Sequence, residues 1–267
     1  MKTVLITGAS SGIGKATAIK LHEKGWKVYG TSRSIKQDQF PFSVMEMDIT
    51  DQESIKRGVD KVLTNEGKID ALINCAGYGI AGAFEETLIG EAKAMFNTNF
   101  FGSVSITQEV LKLMRAKKSG TIVNISSIGG LMGLPFQSFY SATKYAIEGV
   151  SEALSMELAP WNIKVIVIQP GDVSSEFTQN RMLTKGTGTS SEYKNQFQKT
   201  LRTIETDEKT GISVEKVAEK IAYSLNTRSP RFRYIPSSAE QRLAVTLKKM
   251  VPFSIFRKLL KNHYQIG

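Results

Sequence analysis

Cysteine and histidine are almost missing from this chain: Cys75, His22 and His263 are all there is in 267 residues. One thiol cannot close an internal disulfide, so the expected setting is a reducing cytoplasm. Two histidines leave no room for a His-based metal cage or a Ser-His-Asp triad, which sets zinc enzymes and serine hydrolases aside. No metal site is expected. Long apolar runs are missing too. None approaches the roughly 18 residues of a membrane span, which speaks against an integral membrane protein. The opening MKTVLITG has an apolar stretch too short for a signal peptide, and it reads as a first strand.

Acidic residues are absent from the C-terminal stretch while basic ones collect there. Residues 241–267 carry Arg242, Lys248, Lys249, Arg257, Lys258 and Lys261 with no Asp or Glu. The formal charge of +10 is therefore mostly a property of the tail, and the preceding 240 residues are nearly balanced. No groove-reading motif accompanies the charge, so nucleic acid is not an expected partner. Residues 239–267 read as a basic amphipathic C-terminal extension with Pro252 breaking its helix in two. Its apolar side could pack on the domain or on a partner subunit, the more ordinary use. Peripheral contact with an anionic membrane is the alternative.

What is present is an alternation of β-branched runs with amphipathic stretches, the pattern of a parallel sheet covered on both faces. Strands are expected at 2–7, 27–31, 43–48, 70–74, 120–126, 163–169 and 232–235, and helices near 13–24, 51–65, 87–116, 139–159 and 214–226. The fold class is α/β, a doubly wound Rossmann-type sheet of about seven strands. No Pro/Gly/Ser linker divides the chain, so residues 1–267 are expected to form one domain. Residues 174–212 have no strand signal and include the polar stretch 184–191. Following the sixth strand, they read either as a substrate lid or as an ordinary surface loop.

Gly8, Gly12 and Gly14 in TGASSGIG lie between the first strand and the first helix. Glycines there let the backbone approach a pyrophosphate, whose charge rests on the helix N-terminus. Ser10, Ser11 and Ile13 complete that loop. The spacing is neither GxGxxG nor a Walker loop. The second strand ends in TSRS, with no acid to take a ribose 2′-hydroxyl. Arg33 can instead clamp a 2′-phosphate, which favours NADP(H) over NAD.

Tyr140 and Lys144 stand one helical turn apart within YSATK, and Ser127 follows the apolar strand GTIVNIS, whose carboxyl end is a ligand-binding edge. In a chain with eight tyrosines the YxxxK pair means little alone. Together the three fit hydride chemistry at a carbonyl. A nearby ammonium and an oxidised nicotinamide would favour the phenolate. The tyrosine would then exchange a proton with the substrate oxygen while the serine holds it.

TGASSGIG (7–14), MDIT (47–50), NCAG (74–77), NTNFFG (97–102), IVNISS (122–127), YSATK (140–144) and PGDVSS (170–175) occur in this order. In these motifs the chain resembles the short-chain dehydrogenase/reductases over roughly residues 1–235. The resemblance implies a catalytic tetrad of Asn99, Ser127, Tyr140 and Lys144, with Asn99 at a helix disruption that supports a proton-relay water. It implies that Lys144 also holds the nicotinamide ribose and that Asp48 contacts the adenine. Asn74 is placed beside the adenosine ribose, Ala76 and Gly77 of the same motif among the cofactor-binding residues, and Pro170, Gly171 and Val173 beside the nicotinamide. It also implies a homo-oligomer and a small-molecule carbonyl or alcohol substrate. Cys75 replaces the second asparagine of NNAG, and Ser175 stands for the threonine of PGxVxT.

The segment 126–144 is most similar to the branch with estradiol 17-beta-dehydrogenase type 1 and the retinol dehydrogenases, which implies a lipophilic substrate. Leu131, Met132, Leu134, Phe136 and Phe139 would form an apolar wall for it, or else pack the core or a subunit contact. The expected function is NADP(H)-dependent reduction of a ketone or aldehyde, or oxidation of the alcohol. An NAD-dependent dehydrogenase and an NADPH-binding sensor without turnover are the rival readings.

Overall fold

The computed structural model describes residues 1–34, 40–186 and 192–267. Residues 187–191 of the polar stretch lie outside them. Seven strands form one sheet: β1 (Thr3–Thr7), β2 (Lys27–Ser32), β3 (Ser43–Glu46), β4 (Ala71–Asn74), β5 (Gly120–Ile125), β6 (Ile163–Ile168) and β7 (Arg233–Tyr234). Their order is β7-β6-β5-β4-β1-β2-β3, parallel at every pairing. The order reverses between β1 and β4. Ligands of open parallel sheets bind outside the carboxyl ends at such a reversal.

The helices follow from one-faced burial. They are α1 (Gly12–Glu23), α2 (Gln52–Glu66), α3 (Ile89–Phe96), α4 (Ser103–Lys117), α5 (Ser138–Glu157), α6 (Lys194–Lys209), α7 (Val214–Asn226), α8 (Ala239–Met250) and α9 (Phe253–His263). On β1, Val4 and Ile6 face one core with Ala18 and Leu21 of α1 and Val217 and Ile221 of α7. Leu5 faces the other with Val59 and Val62 of α2 and Ile106 and Val110 of α4. Each large aliphatic side chain so buried is worth roughly 1.5–3 kcal/mol against exposure. Burial on both faces explains why these strands are apolar without alternation.

The helix expected over 87–116 is divided. A π-helical segment, Asn97–Gly102, separates α3 from α4. Gly102 permits the bend to press on the β3–α2 connection, where a Cβ would come within 2.8 Å of the Ile49 carbonyl oxygen. Within 174–212 the chain forms α6, whose buried face is Phe197, Thr200, Ile204 and Glu208. Two of these four are polar, so the helix carried little apolar period in the sequence.

The tail forms α8 and α9 with the break at Pro252. A capping box between Ser238 and Gln241 starts α8. Val245 and Phe256 bury against Ile128 and Met132, so one side of the pair packs on the domain. Leu243, Met250, Phe253, Ile255 and Leu259 remain exposed. No helix among the described residues is long and apolar enough to cross a membrane.

Candidate active site

The carboxyl edge of the sheet opens into a cavity of about 780 Å³, and the loops after β1, β2, β4, β5 and β6 form its walls. After β1 the chain turns at Gly8, whose φ of +67° suits glycine. A Cβ there would lie 2.8 Å from Ala76 Cα, and one at Gly14 would lie 2.1 Å from the Gly8 carbonyl oxygen. The turn therefore closes only without side chains. Thr7 fixes the opposite wall: its Oγ1 accepts from the backbone N–H of Cys75 at 3.0 Å and of Ala76 at 3.1 Å. The first turn of α1 has no acid, and its orphan N–H groups start at this cradle. Such a bare, side-chain-free helix start fits a pyrophosphate. The residues present fit a dinucleotide.

At the end of β2 the Ser32 hydroxyl donates to Ser10 Oγ at 3.1 Å. Arg33 is exposed on the cavity wall. Asp48 lies across from it, with its carboxyl held below the usual range by the Thr50 N–H at 2.8 Å and the Thr50 hydroxyl at 2.7 Å, and to a lesser degree by the Arg33 guanidinium. A second hollow lined by Ser10, Ser11, Lys15, Ser32 and Ser34 adjoins this corner.

Helix α5 carries Tyr140 and Lys144 on one buried face, against the end of β5. Ser127 accepts from the Gly129 N–H at 3.0 Å, which leaves its hydroxyl hydrogen for the Tyr140 phenol. Burial pushes the phenol up to about 12, outweighing the Ser127 hydrogen bond that lowers it. In the chain without a cofactor, desolvation penalises the phenolate more than its neighbours favour it, so the phenol stays protonated. Lys144 Nζ donates to the Ile125 carbonyl at 2.9 Å, and burial brings it down to about 8 against the opposing pull of Cys75 and Glu148.

Asn99 sits inside the π-helical segment and is buried. Its Nδ2 donates to the Tyr78 carbonyl at 2.9 Å and to Thr143 Oγ1 at 3.2 Å, while its Oδ1 accepts from the Tyr78 N–H at 3.0 Å. It ties the loop after β4 to α5 and stands behind the cavity wall. The described lining brings together Gly8, Ser10, Ser11, Gly12, Ile13, Gly14, Arg33, Asp48, Ala76, Gly77, Ser127, Tyr140, Lys144, Pro170, Gly171 and Val173. Asn74 is outside that lining. Its Nδ2 donates to Thr107 Oγ1 at 2.9 Å and Asn124 Oδ1 at 2.8 Å, so its side chain joins β4 to α4 and β5.

The apolar wall expected from 131–139 is mostly spent elsewhere. Only Leu134 of the five lines the cavity. Leu131 and Met132 pack under α8 and α9, Phe136 meets Phe197, and Phe139 stacks on Phe84. The apolar lining comes instead from Phe177, Met182, Ile204 and Tyr264, beside the polar Gln137, Asp172, Asp207 and Glu208. Phe177, Met182, Ile204, Asp207, Glu208 and Tyr264 were not legible as site residues, since the segment 174–212 and the tail gave no motif to read, and Gln137 and Asp172 stood within recognised stretches without a role assigned to them.

The family profile described as short chain dehydrogenase matches residues 2–186. The chain is 41% identical over 263 residues to the 3-ketodihydrosphingosine reductase of Bacteroides thetaiotaomicron, covering 98% of both chains. A short-chain dehydrogenase from Streptomyces avermitilis superimposes with a TM-score of 0.82 at 31% identity, over 97% of this chain and 95% of that one. ElxO with NADP bound gives 0.73 at 28% identity, over 88% and 96%. The chain belongs to the short-chain dehydrogenase/reductase family. It is an oxidoreductase of that family by descent and by fold.

Proposed function

We propose that the protein reduces a long-chain, lipophilic ketone with NADPH, of the kind on which 3-ketodihydrosphingosine reductase acts. The observation that carries this is one continuous cavity, with the glycine cradle and Arg33 at one end and Ser127 and Tyr140 at the other. NADPH, when bound, supplies the hydride. The remaining chemistry falls to the chain. Ser127 donates to the carbonyl oxygen and holds it beside the phenol. Tyr140, a protonated acid at neutral pH, gives its proton to that oxygen as negative charge develops there. Lys144, held by the Ile125 carbonyl, keeps positive charge near the phenolate this leaves. Asn99 fixes the Tyr78 backbone and, through Thr143, the helix that carries both groups.

Arg33 and the Ser10, Ser11 and Ser32 hydroxyls are the groups we assign to the 2′-phosphate, since no acid at the end of β2 opposes it. Phe177, Met182 and Ile204 line the cavity for an alkyl chain, which gives 174–212 the role of a substrate cover. The test is oxidation of NADPH and, in parallel, NADH against a panel of long-chain ketones, steroids, quinones and aldehydes. Turnover of the long-chain ketones with NADPH preferred is the expected result. Tight NADPH binding with no turnover across the panel would favour a sensing role instead.

A further inference from the structure

The C-terminal helices spend only part of their apolar surface on the domain. Val245 of α8 and Phe256 of α9 bury against Ile128 and Met132. On α8, Leu243, Leu247 and Met250 recur at the spacing of a second face, turned away from Val245. Leu243 is 58% and Met250 76% exposed. Past the break at Pro252, Phe253 is 68% exposed, and Ile255 and Leu259, one turn apart, are exposed as well. Single apolar residues in water are ordinary, but a run of large ones along one helix pair marks an interaction surface.

The same segment carries charge that the chain does not answer. Arg242, Lys249, Arg257 and Lys258 are exposed, and Lys261 is half-buried. Lys248 turns inward, donating to the Leu131 carbonyl and, at 2.6 Å, to the Tyr145 hydroxyl. None of these six forms an ion pair among the described residues. Beyond Glu240 in the first turn of α8, the tail holds no acid. The tail also ends against the cavity: Tyr264, just past α9, lines it, and the Tyr264 carbonyl accepts from Thr200 of α6 at 3.0 Å.

We propose that α8 and α9 seat the protein on an anionic lipid bilayer, with the exposed apolar side chains in the headgroup boundary and the cations on the lipid headgroups. Charge complementarity selects this partner. Unpaired cations beside an apolar face match the negative surface of such a bilayer, which attracts each Lys or Arg near it. A second copy of the chain fits poorly, because a two-fold contact through this face sets two basic tails against each other. Four of the six cations are lysines, which protein interfaces tend to exclude. A lysine stem can lie along an apolar boundary while its ammonium reaches the headgroups. Because α9 leads from this surface to Tyr264 on the cavity wall, docking brings the cavity towards the phase in which lipophilic compounds collect. The docking goes beyond the reductase reading and does not depend on it.

The test is cosedimentation of the full chain with phosphatidylcholine vesicles, made with and without phosphatidylserine, in the absence of NADPH and ketone. The expected result is binding to the phosphatidylserine vesicles alone, weakening as salt is raised. Lys249→Gln combined with Lys258→Gln should weaken it by about 30-fold, and Phe253→Ser by about 10-fold or more. These three side chains are exposed, so an unchanged Tm should show each variant to be folded. Phe253→Trp reports the seat directly: its emission should move to shorter wavelength on phosphatidylserine vesicles only. No binding, equal binding to both vesicles, or binding that the variants leave unchanged would overturn the proposal. A tail-dependent dimer without vesicle binding would also overturn it and assign the face to a second copy. With no substrate or cofactor present, failure of the docking leaves the reductase reading standing, and failure of turnover leaves the docking standing.

Discussion

Lys144 Nζ lies 5.7 Å from the centre of the Tyr140 ring and donates its hydrogen bond to the Ile125 carbonyl. The ammonium is therefore near the phenol but bound to the sheet. Desolvation dominates both groups, raising the phenol and lowering the amine. A protonated phenol next to a serine hydroxyl is a proton donor, which suits carbonyl reduction.

Arg33 stands at the mouth of the cavity with no acid in TSRS beside it. Arg33→Ala should weaken NADPH binding by roughly 10–100-fold, the worth of charge-assisted hydrogen bonds to a phosphate, and leave NADH nearly unaffected. Calorimetric titration with both cofactors checks this. Equal weakening of the two would remove Arg33 from the 2′-phosphate.

Gly8 meets two constraints at once, a left-handed φ and a 2.8 Å approach to Ala76 Cα. Gly8→Ala should cost roughly 1–2 kcal/mol from the backbone alone. A Tm lower by about 2–8 °C follows, together with loss of NADPH binding. Gly133, where a Cβ meets nothing within 4 Å, is the control: Gly133→Ala should leave cofactor binding unchanged.

Asp172 makes stability depend on pH in a stated direction. Its carboxyl is raised to about 7 from an ordinary 3.8, so the native state binds the extra proton between those values. Stability falls as pH rises through that window, because the buried carboxylate must ionise. Asp172→Asn should therefore be more stable than the wild type at pH 8, by up to about 4 kcal/mol. The gap should close by pH 4. Thermal unfolding at several pH values measures it, and a constant gap would assign the effect to packing rather than charge.

Elements that repeat a local rule were readable before any coordinates. The five inner strands were legible because burial on both faces makes each a compact apolar run, whereas β3 and β7 are largely exposed and came out two residues shorter than expected. Tyr140, Lys144 and Ser127 were legible because a turn of helix and the end of a strand are short-range geometry. Arrangements set by tertiary contact were not. The π-helical segment around Asn99 depends on the approach of Gly102 to Ile49, residues far apart in the chain. Leu131, Met132, Phe136 and Phe139 are apolar whether they line a cavity or pack under α8, α9 and Phe197, and nothing local separates the two outcomes. Asn74 carries a family motif, yet its amide is used between β4, β5 and α4. Asp172 became visible only when α6, α8 and α9 were placed around it.

The most direct test of the central claim is NADPH oxidation with a long-chain ketone by the wild type and by Tyr140→Phe, with cofactor binding measured on both. The variant keeps the ring and its contact with Phe177 and loses only the proton. The account predicts a turnover lower by about 10²–10⁴-fold with NADPH affinity unchanged. Full activity in the variant would contradict Tyr140 as the proton donor, and with it the mechanism proposed for this cavity.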